Sequence, residues 1–329
     1  GAALTGTANA GNDTLTSNTG VDTLIGGAGN DTFVINNASD VVTVGSTHGT
    51  DTIQSAVNYV LPSNVQYLSL TGSGNLTGTG NSLTDLIVGN TGNDTLTGGT
   101  GIAVLEGGKT AGQDLLRASS NQAAGIAGAG SSTLTGGAYK DFYAAGTVSD
   151  SITTGATSNV IAINKGDGAD TLMPTSGASN VLSLGAGIDT ENLFFNKSGN
   201  NLVLTDGVAG DSITFSNWYV GSSDQDYTTL QVIESASASY NASGSDGLRN
   251  QALEEFNFTS LVSQFNAAGS PANWALSNGM PTAQLTSSAS AAYGGDLAYY
   301  DGLNGNLTGM TLAAAQATIE ELGKIARGD

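Results

Sequence analysis

An all-β solenoid, a chain wound into short parallel strands, is the fold this sequence predicts. Three observations predict it: self-similarity at a nine-residue period, 48 glycines in 329 residues, and an acid excess made of Asp rather than Glu. A fixed short period means one small unit stacked on copies of itself. Glycine at about twice its ordinary usage supplies tight turns. With only 4 prolines the chain is not a flexible Pro-plus-Gly linker. Asp competes with the backbone for hydrogen bonds, so it favours turns and oxygen-rich metal sites over helix surfaces.

The repeat is legible residue by residue. AGNDTLT, TGVDTLI and AGNDTFV begin a frame in which Asp13, Asp22, Asp31 and Asp40 stand nine apart. Two residues after each comes an apolar one: Leu15, Leu24, Phe33 and Val42. A second array opens with GNSLTDLIV and GNTGNDTLT, carrying Asp85 and Asp94. Its next unit has Ala103 in place of the acid, and an insertion in GGKTAGQDLL resets the frame at Asp114. From there the position runs through Ala123, Ser132, Asp141, Asp150 and Asn159. The apolar partner follows at Leu116, Leu134, Tyr143, Ile152 and Ile161, with Gly125 as the gap. Each unit reads as a Gly-rich turn followed by a short strand, its apolar side chain inward and its neighbours, often Thr, outward.

Residues 26–34, GGAGNDTFV, match GGxGxDxUx (U a large apolar residue) at every specified position. The chain thereby resembles the repeats-in-toxin (RTX) family, tightly in the repeats and loosely in the tail. The resemblance implies a right-handed parallel β-roll in which two nonapeptides make one turn, so residues 18 apart stack. It also implies calcium, several ions of it, held between stacked turns. A roll with one buried apolar side chain per nine ordered residues has a thin core, and an ion would supply what the core lacks. Hard oxygen ligands in a flexible cage suit calcium better than magnesium. The expected metal pairs are Asp13 with Asp31, Asp22 with Asp40, and Asp94 with Asp114 across the insertion. Asp141 meets Asn159, a neutral ligand, and Asp150 looks toward Asp167 or Asp170. Asp85 lacks a partner because Ala103 lies 18 residues on. Calcium-triggered folding follows: largely unfolded at low calcium, folded outside the cell.

The expected organisation is a roll over 1–171 with a strand-rich interlude at 44–79, then a β-hairpin capping region at 172–235. A hinge at 236–248, ASASYNASGSDGL, leads to a helical region at 249–329. In that last region Leu253, Phe256, Leu261 and Phe265 fall at helical spacing, and Thr311 caps a final helix. Trp218 and Tyr219 are expected to cover the open end of the roll, or less expectedly to bind sugar. The tail is similar to the C-terminal region of RTX proteins exported by type I secretion, which implies that machinery as a partner.

Composition excludes other classes. Eight Lys and Arg against 28 acids, net charge −20, make no basic patch for nucleic acid or anionic membrane. No apolar run is long enough to span a bilayer. GAALTGTANAGND lacks the basic start and apolar core of a signal peptide. There is no Cys, and the single His48 lies in a turn, so disulfides, thiolate metal sites and a His-based triad are not expected. Glu254 with Glu255, and Glu320 with Glu321, read as solvated helix faces rather than acid–base pairs. No enzyme is expected. The expected function is a secreted or cell-surface calcium-binding structural region of a bacterial adhesin, surface-layer or extracellular matrix protein, with self-assembly through solenoid ends or edges. Two alternatives stand: the secretion and folding module of a larger toxin or hydrolase, and a calcium-dependent module for cell-surface glycan.

Overall fold

A computed structural model describes residues 1–45, 49–108, 112–185, 187–248, 250–285, 295–304, 307 and 317. Its main body is a parallel β-solenoid whose successive strands alternate between two opposite walls. Along one wall, Thr14–Thr16 pairs with Thr32–Ile35, and the ladder continues through Thr52–Ser55, Tyr67–Leu70, Asp85–Val88 and onward to Tyr227–Val232. This makes a 12-stranded sheet, all parallel until Glu254–Asn257 closes it antiparallel. The other wall consists of a 3-stranded sheet from Thr5–Thr7 to Val41–Thr43 and an 11-stranded sheet that begins at Tyr59–Val60. The register is eighteen residues wherever the repeat is regular, with Leu15 opposite Phe33 and Leu134 opposite Ile152. Residues 44–79 are further coils, since Thr52–Ser55, Tyr67–Leu70 and Thr77–Thr79 pair within the same walls.

The inward column is the one the repeat specifies. Leu24, Phe33, Val42, Leu96, Leu116, Leu134, Ile152 and Ile161 are all buried in one continuous core. Gly125 lies in register with Tyr143, whose ring fills the space the glycine leaves and whose hydroxyl donates to Asp141 Oδ2 at 3.0 Å. The outward faces differ between walls. One carries Thr77, Thr79, Thr95, Thr97, Thr133 and Thr135, partly or fully exposed. On the other, Leu86, Val104, Ile126, Phe142, Val160 and Val181 point outward, yet are buried in a second apolar cluster. Strands such as VIAIN are apolar on both sides, the pattern of a sheet covered on both faces.

Beyond the regular coils, Phe194–Ser198 and Asn201–Thr205 form an antiparallel hairpin that joins the 11-stranded sheet through Ser212–Phe215. Trp218 is 1% exposed and packs edge-on against Phe215 and Phe258. Here two sequence expectations are corrected. Glu254 and Glu255 lie on a strand, not a helix, and both are buried, because Glu254–Asn257 takes the sheet edge left by Tyr227–Val232. The helix begins later: α1 is Phe258–Ala267, where Asn257 Oδ1 accepts the Ser260 N–H as its N-cap. Next come α2, Met280–Ala283, and α3, Gly295–Asn304. Through Leu297 and Ala298, α3 joins the outer apolar cluster, lying over Val160–Asn164 and Asn180–Gly185. His48, Thr311, Glu320 and Glu321 lie outside the described residues. Among the described residues no helix is long and apolar enough to cross a membrane.

Candidate functional site

Most of the repeat Asp residues, Asp13, Asp31, Asp94 and Asp141 among them, end a turn one residue before a strand, while Asp85 and Asp170 lie within theirs, and the solenoid stacks these acids coil on coil. The contact is specific: the backbone N–H of one member donates to a side-chain oxygen of the member one coil later. Asp13 N–H reaches Asp31 Oδ1 at 2.9 Å, Asp22 reaches Asp40 at 2.8 Å, and Asp94 reaches Asp114 at 2.8 Å. Asp141 reaches Asn159 Oδ1 at 2.9 Å, and Asp150 reaches Asp170, rather than Asp167, at 2.8 Å. The second carboxylate oxygen turns back on its own loop. Asp13, Asp31, Asp141 and Asp150 accept there from Asn9, Gly27, Gly137 and Gly146, at 2.7–2.9 Å. Asp31, Asp141 and Asp150 therefore each fix their own turn and staple it to the coil beneath, while the Asp13 carboxylate, in the first turn, holds only its own loop.

Asp94–Asp114 and Asp150–Asp170 depart from a strict count of eighteen, and two further pairs do as well: Asp31 N–H donates to Asp51 Oδ1 at 2.7 Å, twenty residues away, and Asn159 N–H donates to Asn180 Oδ1 at 3.1 Å. The insertion that moves Asp114 to twenty after Asp94 is the signal that would have found Asp51. Asp85 stands in register with Ala103, and its Oδ1 is buried with no hydrogen-bond partner.

Electrostatically the columns are starved of positive charge. Burial raises Asp94 and Asp114 above the usual carboxylate range even though backbone N–H donors pull them down. Burial pushes Asp141 and Asp150 up to about 6. Asp170 rises to about 8, by burial first and then by the neighbouring Asp150 and Asp211 charges. Among the described residues no three acidic or His side chains converge on one point. A cation here would use one or two carboxylates and complete its six to eight oxygens with turn carbonyls and water. The donor set is oxygen throughout, which fits calcium.

The turns are of two kinds. Where Asn precedes the Asp by three or four residues, its side-chain amide reaches the coil beneath. Asn81 Nδ2 donates to the carbonyls of Pro62 and Val65, both at 2.7 Å, and Asn90 Nδ2 to those of Thr71 and Gly74 at 3.3 and 3.0 Å. Asn37 does the same to Thr19 and Gly20 at 3.3 and 3.0 Å. Turns with Gly27, Gly108, Gly137 or Gly146 in this part of the loop have no such donor to offer. A Cβ at Gly27 or Gly108 would overlap the carbonyl oxygen of Asn9 or Asn90 in the coil beneath. The Asn turns carry an amide donor to the coil beneath, and the Gly turns do not. Replacing Asn90 by Ala is expected to cost about 1–3 kcal/mol in calcium, because it removes the two hydrogen bonds that tie this turn to the coil beneath. Urea denaturation in calcium measures it.

Residues 6–42 and 79–101 match the family model of the RTX calcium-binding nonapeptide repeat, in four copies. No curated protein gives a significant match to the chain. The matched residues are those that build the Asp columns at Asp13–Asp40 and Asp85–Asp94. This chain carries RTX calcium-binding nonapeptide repeats, wound into a parallel β-solenoid.

Proposed function

We propose that this chain is an extracellular structural region that folds on calcium, the ions seating between successive turns beside the stacked carboxylates. The observation that carries the reading is the coil-to-coil pairing of acids, all but Asp13 buried: Asp13–Asp31, Asp22–Asp40, Asp94–Asp114 and Asp150–Asp170. Asp141 with Asn159 adds a pair of lower charge. The Gly turns that end at Asp31, Asp114, Asp141 and Asp150 are the favoured seats, because they bring no Asn amide to compete with an ion for the carbonyls of the coil beneath. When bound, the ion supplies positive charge to oxygens that the fold brings together and water no longer screens. The residues do the rest: Asp staples neighbouring turns, and glycine lets them approach.

In this reading the chain serves a bacterial adhesin, surface layer or matrix as a rigid secreted segment. Export by type I secretion suits a chain that stays loose at cytosolic calcium and stiffens outside. The sugar-binding alternative gains nothing from Trp218, whose ring is enclosed by Phe215, Phe258 and the chain. Tyr219 beside it is engaged by Lys197, 4.1 Å from its ring centre.

Titrating calcium into EDTA-treated protein, followed by circular dichroism and calorimetry, tests the reading. The expected result is a cooperative gain of strand signal with several ions bound. The same strand signal in EDTA and in calcium, with no heat of binding, would overturn it.

A further inference from the structure

Buried acids and amides also meet outside the nonapeptide turns, and there some of their oxygens have no donor. Helix α3 returns to the side of the roll and buries Asp301 completely, 137 residues along the chain from its contact. Asp301 Oδ2 accepts from Asn164 Nδ2 at 2.8 Å, while its Oδ1 is buried with no hydrogen-bond partner. Asn164 Oδ1 is likewise buried and unpartnered. The backbone N–H of Asn164 donates at 2.6 Å to Asp167 Oδ2, and Asp167 is itself buried. Asn164 thus stands between two carboxylates, and one oxygen of its own and one of Asp301 are left over. The approach is fixed by glycine: a side chain at Gly185 would overlap Gly302, the residue after Asp301.

We propose that Asn164, Asp167 and Asp301 form a divalent-cation site outside the repeat, which takes calcium and pins α3 to the wall of the roll. Buried oxygens of one polarity are stable only when something electron-poor sits among them. Two carboxylates and an amide oxygen, with carbonyls and water for the remainder, suit a hard ion of flexible coordination. The site joins the last regular coils to a segment that covers the outer apolar cluster through Leu297 and Ala298. Calcium here therefore controls whether that cluster is covered. The inference does not need the repeat turns to bind the same ion.

The test uses the full chain, EDTA-treated, with calcium chloride as probe. Hydrogen exchange of residues 295–304 reports α3, circular dichroism reports the roll, and calorimetry counts ions. In the unaltered protein, calcium is expected to slow exchange across 295–304. Asp301→Asn is expected to bind one ion fewer and to shift the calcium midpoint for that protection upward by roughly 10- to 100-fold, leaving the strand titration in place. Asn164→Asp adds a charged ligand, so α3 should be looser than normal in EDTA and should close at lower calcium. An unchanged ion count and midpoint in Asp301→Asn, full protection of α3 in EDTA, or no downward shift in Asn164→Asp would each overturn the proposal. Protection of α3 by calcium with no response of the strand signal would keep this site and sink the repeat reading. The converse would sink this site alone.

Discussion

Gly99→Val is expected to destabilise the roll by at least about 3 kcal/mol, more than most single substitutions. The cause is coil spacing, not backbone conformation, for Gly99 does not need a positive φ. A Cβ there would overlap the carbonyl oxygen of Asn81 in the coil beneath and crowd its backbone. That carbonyl cannot swing away cheaply. It accepts the N–H of Thr100 at 2.7 Å and of Gly101 at 3.3 Å, while the Asn81 side chain is held by Pro62 and Val65. Relief would require the two coils to part, breaking the ladder between their strands. Gly45→Ala is the control, since a Cβ at that position meets nothing within 4 Å. Chemical denaturation should place the control within about 0.5 kcal/mol of the parent. Equal stability of the two variants would show that the coils can part freely.

In saturating calcium, the unfolding midpoint is expected to fall as pH is raised from 5 to 8, on the order of ten degrees in total. The groups responsible stand apart from the proposed ions. Burial pushes Asp85 to about 7, Glu234 to about 7 and Asp226 to about 6. Their folded pKa values lie above the unfolded ones, so the folded state holds more protons through this window. Stability is then complete below the unfolded carboxylate range and is lost as pH climbs through the folded values. Each unit of separation is worth about 1.4 kcal/mol, and Asp85 and Glu234 both span more than one unit of the window. The net charge of −20 works in the same direction, because repulsion grows as the last acids ionise. Scanning calorimetry at fixed pH steps in the same calcium measures this, and a midpoint that rises with pH would contradict it.

The nine-residue period made much of this molecule readable. It placed Phe33, Leu96, Leu134 and Ile152 in the core and paired Asp13 with Asp31 and Asp94 with Asp114. It could do so because a solenoid converts sequence spacing directly into vertical neighbours, with no long-range choice of partner. What it hid follows from the same cause. Asp51 slipped out of phase through two extra residues. Asn81 and Asn90 looked like ordinary turn formers, and only the coil beneath reveals what their amides hold. Contacts that leave the period had no signal at all. Asp301 meets Asn164 across most of the tail, and Glu254 is buried by a strand edge that no local pattern announces. The outer apolar face was visible in DLIV, AVLE and VIAIN, but a reading that allowed one inward residue per unit passed over it.

A stack in which each coil touches only the next behaves like a row of coins: a fault at one level need not be felt two levels away. Helix α3 changes that, because it lies across both Val160–Asn164 and Asn180–Gly185. Opening the seam between those coils also strips the helix from one of them. The two levels must therefore come apart as one event rather than in turn. Fraying that enters from the far end of the molecule then meets a fused block before it reaches the regular repeats. The return of the chain along its own flank thus acts as a splint, giving one end of a linear stack the all-or-none character of a globular domain.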